Sequence, residues 1–246
     1  MEGTAMTKSV QEQIDQLMET FDATVELHPA LKPHLYVGAL GMATLHHPFV
    51  IMPLYSETLN KFANDQFERK TRSCADALED KRWGTYVFLH ERPYRLNALM
   101  DLVEMGAMSP TEYWEMVAEV WIDSENIREH PEQWEQLLSG GPEGADAMMF
   151  DYEHRTLAAL PNTFFVYQGH TGSRDDGWSW TTEYETARWF AHRFAMLEDD
   201  TPELTTGLVR KDDVLAMFTR RGEMEILVNP VSVEFIDTVK LTKEST

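Results

Sequence analysis

Residues 221–230 read RGEMEILVNP, and the alternation of side chains along this stretch predicts a β-strand. Successive side chains of a strand point to opposite faces, so Ile226 and Val228 share an apolar face while Glu223 and Glu225 stand together on the other. Two like charges at that spacing repel each other unless a cation or a chemical role compensates. An edge strand with a solvated acidic face is the simpler interpretation of a Glu-x-Glu pair taken alone. The residues upstream favour a chemical role.

The composition of the chain describes a folded globular protein. Of its 246 residues, 43% are hydrophobic and 11% are aromatic. No apolar run reaches membrane-spanning length and no secretory signal pattern is present, so we expect no membrane partner. The single cysteine, Cys74, cannot form an intramolecular disulfide, and a cytoplasmic location follows as an expectation. The net charge of −21 disfavours nucleic-acid binding, because an acidic surface repels a phosphate backbone.

The periodicity of the sequence changes near residue 160. Residues 7–155 follow helical spacing, and residues 109–112 (SPTE) form a capping-box pattern with proline at the first helical position. A second such pattern, at residues 182–185 (TEYE), opens a helix in the later part. The remaining segments after residue 160 alternate like strands, and they cover 163–167, 177–181, 207–210, 214–218, 223–228 and 231–239.

These patterns predict an α+β protein. A helical domain over residues 1–158 precedes a small domain over residues 159–246, built from short and mostly antiparallel strands. Most of the acidic charge lies in the helical part, and the acidity suits either solubility or a basic protein partner.

Three short sequence motifs follow one another in the C-terminal part of the chain. A first strand ends with VYQG at residues 166–169, a later strand carries SWT at residues 179–181 and leads into a helix, and the Glu-x-Glu strand follows. This ordered set resembles the R-S-E class of mono-ADP-ribosyltransferases, toxin-like enzymes that transfer ADP-ribose from NAD to a protein side chain. Their signature is an arginine on the first strand, a Ser-Thr-Ser-like triplet and a late Glu-x-Glu. The resemblance covers about the last third of the chain, and the acidic helical part is similar to that of phage-encoded members, which act in the host cytoplasm.

The resemblance implies catalytic roles for three residues. Breaking the glycosidic bond to nicotinamide builds positive charge on the ribose, and Glu225 would stabilise that charge and hold the 2′-hydroxyl. Glu223 would orient or deprotonate the incoming nucleophile, and a glutamate at this position suggests a guanidinium acceptor. Ser179 would position Glu225 by a hydrogen bond, and Thr181 would support the same face.

NAD would be held by residues from the first two motifs. The expected set is Gln168, Gly169, His170, Arg174, Ser179, Trp180 and Thr181. An aromatic ring should stack on the nicotinamide, and the candidates are Trp178, Trp180, Tyr184 and Trp189. A place in the hydrophobic core is the competing interpretation for each of these rings.

Gln168 departs from the family pattern, which has arginine at this position. Glutamine lacks the charge and the planar fork with which arginine binds the anionic side of NAD. Three interpretations follow. Arg174 in the next loop takes over, or His170 does, or the protein has lost turnover and kept binding.

Several functions therefore remain open. The first is NAD-dependent mono-ADP-ribosylation of a protein, with arginine as the preferred acceptor and the helical domain recruiting the target or regulating the site. The alternative is a weakly active or inactive module that binds NAD, ADP-ribose or a protein partner. RNA 2′-phosphotransfer is disfavoured by the acidic surface, and an interaction protein that works through its helical part is a further possibility. No histidine or cysteine set has metal-ligand spacing, so we expect no metal.

Overall fold

The computed structural model describes residues 25–125, 127–172, 177–220 and 222–242, and the chain forms two compact units, Met1–Gly106 and Ala107–Thr246. The described part contains seven α-helices and two antiparallel sheets of three and six strands, which confirms a mixed fold of helices and antiparallel strands. The units divide after Gly106, whereas the change of periodicity placed the boundary after residue 158. The reason is that residues before position 158 contact the C-terminal sheet: Met149 and Leu157 pack against its core, and Trp121 donates a hydrogen bond to Glu225.

The first unit is a small sheet followed by helices. Its strands are Leu35–Val37 (β1), Ala43–His47 (β2) and Val50–Tyr55 (β3), and its helices are Asn60–Glu79 (α1), Trp83–Leu89 (α2) and Arg95–Glu104 (α3). The prediction of helix throughout residues 7–155 is therefore wrong for residues 35–55, and its part before residue 25 lies outside the described residues. Residues 50–55 (VIMPLY) are rich in residues that favour strands, and Gly41 adopts a positive φ of 73° in the turn between β1 and β2.

Four helices belong to the second unit. They are Pro110–Asp123 (α4), Pro131–Gly140 (α5), Asp151–Ala159 (α6) and Tyr184–Glu198 (α7). The capping box that begins α4 is confirmed, because the Ser109 and Glu112 side chains each accept a hydrogen bond from the other's backbone N–H. The box expected at residues 182–185 is wrong. Thr182 N still belongs to the sheet, where it donates to Met224 O at 3.1 Å, and Glu183 is the residue that precedes the helix.

The second unit's sheet has the order β7-β8-β5-β4-β6-β9, with every pairing antiparallel. Its strands are Thr163–Thr171 (β4), Ser179–Thr181 (β5), Pro202–Arg210 (β6), Val214–Phe218 (β7), Glu225–Val228 (β8) and Glu234–Lys240 (β9). The apolar face predicted for residues 221–230 is buried, since Ile226 and Val228 pack with Val166 and Trp180 in one core. Each such aliphatic side chain stabilises the fold by about 1.5–3 kcal/mol.

Strands β4 and β5 separate after a single paired position. β4 pairs with β6 along nine residues, but with β5 only at Tyr167 opposite Thr181. Beyond that pair the ends of the two strands diverge, and the α7 backbone approaches β4 at Gly169. This separation opens the sheet where the predicted motifs lie. Within the described ranges, none of the helices combines the length and the apolar character needed to cross a bilayer.

Candidate functional site

The second unit contains a cleft of about 780 Å³ at the divergence of β4 and β5. That volume lies within the usual range for small-molecule sites. Its walls are formed by the ends of β4 and β5, by one side of α7, by Glu223 and Glu225, and by described residues of α4, of α5 and of the connection between them, from Trp121 to Glu135. Every described residue that lines it falls in Ala107–Thr246.

Glu225 is the first residue of β8 and lies directly opposite Thr181 of β5. Ser179 Oγ donates a hydrogen bond to Glu225 Oε1 at 2.6 Å, which is the contact that the motif order predicts. The same oxygen accepts a second hydrogen bond from Trp121 Nε1 at 3.0 Å. Two donors on one oxygen fix the orientation of the carboxylate at the wall of the cleft.

Glu223 lies two residues before Glu225 and also lines the cleft. It is not part of β8, but the pairing of Thr182 N with Met224 O extends the ladder by one residue toward it. Gly222, with a φ of 73°, makes the turn that brings the chain back from β7. Both carboxylates of the Glu-x-Glu pair therefore face the same cavity, as the alternation predicts.

The hairpin turn before the Glu-x-Glu pair is fixed by a buried carboxylate. Glu153 of α6 is fully buried, and its side chain accepts hydrogen bonds from Thr219 N at 3.0 Å and Arg220 Nη2 at 3.0 Å. Arg220 also donates to Met148 O at 2.7 Å. The ion pair thus ties the β7–β8 connection to the helical layer.

Gln168 lies in the gap where β4 and β5 separate. Its amide Nε2 donates to Ser179 O at 3.0 Å, so the side chain bridges two strands whose backbones no longer pair. Its Oε1 is buried, has no hydrogen-bond partner among the described residues, and belongs to a residue that lines the cleft. Gln168, which stands where the resemblance would place an arginine, is therefore at the cleft wall, and its uncharged side chain supports the strand ends.

The other residues expected to bind NAD do not all line the cleft. Gly169 lines the cleft, and so do Trp180 and Thr181. His170 is fully buried outside the cleft lining, and its Nε2 shares a hydrogen bond of 2.8 Å with Thr205 Oγ1. A ligand in the cleft would therefore not reach His170, which disfavours the hypothesis that this residue takes the role the resemblance gives to arginine. Arg174 lies outside the described residues.

The four candidate aromatic rings differ in position. Trp180 is 2% exposed, and most of its ring belongs to the core of the sheet, although part of it reaches the cleft. Tyr184 and Trp189 are exposed and do not line the cleft. Trp178 does line it, and its Nε1 donates to Glu135 Oε2 at 2.8 Å. Further aromatic side chains of the lining that the sequence did not single out are Trp121, Trp134, Tyr167, Phe190 and Phe194.

The helical wall of the cleft was missed by the sequence analysis. Trp121 and Trp134 look like ordinary members of apolar helix stripes, and they pack edge to face with ring centroids 4.9 Å apart. Nothing in the local sequence indicates that one indole reaches a carboxylate 104 positions later in the chain. Only the tertiary fold brings the Trp121 indole and the Glu225 carboxylate together.

The charge of the cleft is mostly negative. Its described residues include six carboxylate side chains, which are Glu125, Glu132, Glu135, Glu198, Glu223 and Glu225. Among the described residues of the lining, Arg128 is the one cation, and its guanidinium lies 4.3 Å from the centroid of the Phe194 ring. The described lining therefore combines a strongly acidic wall with one arginine stacked on an aromatic ring.

Comparison of the chain with protein-family models, with curated proteins and with solved structures finds no significant match.

Proposed function

We propose that the second unit is an NAD-dependent mono-ADP-ribosyltransferase with an ADP-ribosyltransferase-like fold. The observation that carries the proposal is the placement of Glu225, held by Ser179 at the wall of a cleft that also receives Glu223. Ser179 and the two glutamates come from two motifs that are far apart in the sequence, and their meeting at one cleft supports the proposal.

The reaction assigns one task to each carboxylate. The bond between ribose C1′ and the nicotinamide nitrogen breaks, and the electron pair leaves with nicotinamide, which becomes neutral. Glu225 stabilises the positive charge that develops on the ribose and accepts a hydrogen bond from its 2′-hydroxyl. The acceptor nitrogen then bonds to C1′ and loses its proton to Glu223. A guanidinium acceptor is favoured because the acidic wall attracts a cation.

The anionic part of NAD requires a cation that position 168 does not supply. Arg128 is the cation of the described lining, and its planar guanidinium suits a pyrophosphate. Gln168 Oε1, which has no hydrogen-bond partner among the described residues, would accept a hydrogen bond from a ribose hydroxyl. The first unit, which contributes no described side chain to the cleft, remains the candidate for recruiting the protein target.

A second candidate is a binding module for NAD or ADP-ribose without turnover. The uncharged Gln168 and its use in bridging the β4 and β5 backbones favour this alternative. Such a module would bind NAD and release no nicotinamide.

The test uses NAD labelled in its adenylate half, with nicotinamide release and label transfer to an arginine-containing peptide measured separately. We expect Glu225→Ala to lower nicotinamide release by a factor of about 10²–10³, the effect of removing a group that stabilises transition-state charge. Glu223→Ala should lose transfer to the peptide and retain release to water. Arg128→Ala should raise KM for NAD with kcat retained, because its task is in binding.

Glu234→Ala is the matched control, since Glu234 is an exposed glutamate on β9 of the same sheet and does not line the cleft. It should behave like the unsubstituted protein. Tight NAD binding without nicotinamide release would refute the transferase and support the binding module. Release that Glu225→Ala leaves unchanged would refute the assigned chemistry.

A further inference from the structure

Trp121 is a buried tryptophan whose indole is directed at the proposed catalytic carboxylate. Its side chain is 1% exposed, and Nε1 donates to Glu225 Oε1 at 3.0 Å. An indole N–H is a donor only, so burial requires that it find an acceptor.

Two other buried tryptophans of this unit donate to the backbone, whereas Trp178 donates to Glu135 Oε2 at the cleft wall. Trp114, also on α4, donates to the backbone carbonyl of Pro142 at 2.8 Å, and Trp180 donates to that of Gly177 at 3.1 Å. A backbone carbonyl is neutral and takes no part in chemistry. Trp121 differs from both, because its acceptor is an ionisable side chain at the wall of the cleft.

The indole is itself held in one orientation. Trp134 of α5 packs against it edge to face, with the ring centroids 4.9 Å apart. Both rings are almost fully buried, so a rotamer change would need a rearrangement of the packed helices. The donor is therefore preorganised before any ligand enters.

We infer that Trp121 is a positioning residue for Glu225, acting from the helical wall while Ser179 acts from β5. This role rests on the proposed function and extends it to a residue outside the three motifs. Both donors bind the same oxygen, Oε1, and so define the plane and direction of the carboxylate toward the ribose. A carboxylate that is preorganised in this way needs no reorientation as charge develops on the sugar.

The first test replaces the indole with a ring that cannot donate. Trp121→Phe keeps an aromatic ring against Trp134 and removes the N–H. We expect kcat for nicotinamide release to fall about ten- to a hundredfold, the range found for residues that hold active-site ligands in place, with KM for NAD changed less than about threefold. Trp114→Phe is the matched control, because it removes a buried indole hydrogen bond from the same helix outside the cleft lining. It should lower the melting temperature by a similar amount and leave kcat unchanged.

The second test asks whether Trp121 and Ser179 act through the same group. If both position Glu225, the combined Trp121→Phe and Ser179→Ala variant should lose less activity than the product of the two single losses. If the two substitutions instead damaged the structure independently, the losses of activity in the two single variants would multiply in the combined variant. A multiplicative result would overturn the inference.

A third measurement does not depend on turnover. The indole N–H resonance of Trp121 should move upfield in Glu225→Gln, where the charged acceptor is lost, while that of Trp114 stays in place. An unchanged Trp121 resonance would overturn the contact and the inference with it.

Wild-type kcat in Trp121→Phe would overturn the positioning role and leave the proposed function intact, provided that Glu225→Ala is inactive. An inactive wild-type protein would overturn the proposed function and, with it, this role.

Discussion

The protonation of one side chain, His47, makes the stability of the first unit depend on pH. His47 ends β2, and its Nδ1 accepts a hydrogen bond from Phe49 N at 3.0 Å in the turn to β3. Burial, together with charge repulsion from the nearby His34, His90 and His28, lowers its pKa to about 4. The ring is therefore neutral in the folded protein at pH values where a free histidine takes up a proton.

We expect this ring to destabilise the first unit in mild acid. Above about pH 6.5 the ring is neutral in both states and contributes no pH dependence. As the pH falls from there toward 4, the unfolded chain binds a proton that the folded protein refuses, so stability decreases. A loss of roughly 1–2 kcal/mol between pH 7.5 and pH 4.5 is expected, a figure reduced for the solvent screening of a part-exposed ring.

Urea unfolding at the two pH values measures this loss, and an NMR titration of the His47 ring gives its pKa directly. His47→Asn is the control, because asparagine keeps a side-chain acceptor for Phe49 N and cannot titrate. It should remove most of the pH dependence, and the remainder belongs to His90, whose pKa burial also lowers. A His47 midpoint near 6.5 would contradict the prediction.

At the scale of elements, the packing of α7 on β4 sets the shape of the cleft. A Cβ atom on Gly169 would lie 1.9 Å from Ala187 O and 2.6 Å from Ala191 N, both of them backbone atoms of α7. Backbone cannot move aside as a flexible side chain can, so the whole helix would have to shift. Glycine is therefore required at position 169 because the helix backbone packs so closely against it. Its backbone conformation would allow any residue.

We expect Gly169→Ala to destabilise the second unit by about 3 kcal/mol, at the upper end of overpacking effects. The shift of α7 should also displace Phe190 and Phe194 at the cleft wall and raise KM for NAD. Gly140→Ala, at the end of α5, is the control. An added Cβ meets nothing within 4 Å there, so stability should be unchanged or slightly higher. Thermal unfolding of both variants decides the matter, and an unaffected Gly169→Ala protein would refute the packing argument.

Elements with strong local signals could be predicted from the sequence. Residues 109–112 specify a helix start through a side chain three residues away, and the strands of the C-terminal sheet follow from alternation. Strands β1–β3 were missed although residues 50–55 carry strand-forming residues, because helical spacing on both sides dominated the interpretation. The partners of Gln168 could not be predicted, because they depend on how far β4 and β5 separate, which no local pattern encodes.

For the whole molecule, the largest difference from the sequence-based prediction is the position of the domain boundary. Composition changes near residue 158, but the contacts that build the site cross that point. Glu153 pairs with Arg220, Trp121 donates to Glu225, and Leu157 packs against the core of the sheet. A change of periodicity marks where helices give way to strands, and it carries no information on which helices cover those strands.

We therefore predict that a fragment of residues 107–246 folds cooperatively and releases nicotinamide from NAD at the rate of the full chain, whereas a fragment of residues 159–246 does not fold. The shorter fragment leaves Arg220 without the buried carboxylate of Glu153, and breaking a buried pair costs about 3–5 kcal/mol. It also exposes the sheet face that Leu157 and Met149 cover. Together these losses approach the total stability of a typical domain, about 5–15 kcal/mol.

Circular dichroism melts and nicotinamide release distinguish the outcomes for the two fragments. A sharp thermal transition in residues 159–246 alone would show that the helices of residues 110–159 are dispensable for folding, and it would restore the boundary that the periodicity suggests. Glu153→Gln in the longer fragment is the intermediate case, because it keeps a hydrogen-bond acceptor for Thr219 N while removing the charge that pairs with Arg220. Its melting temperature should lie between those of the unsubstituted fragment and Glu153→Ala. That order follows because the carboxylate has two roles, as a hydrogen-bond acceptor for the hairpin backbone and as the counterion of Arg220. Glu153→Gln loses only the second role, whereas Glu153→Ala loses both.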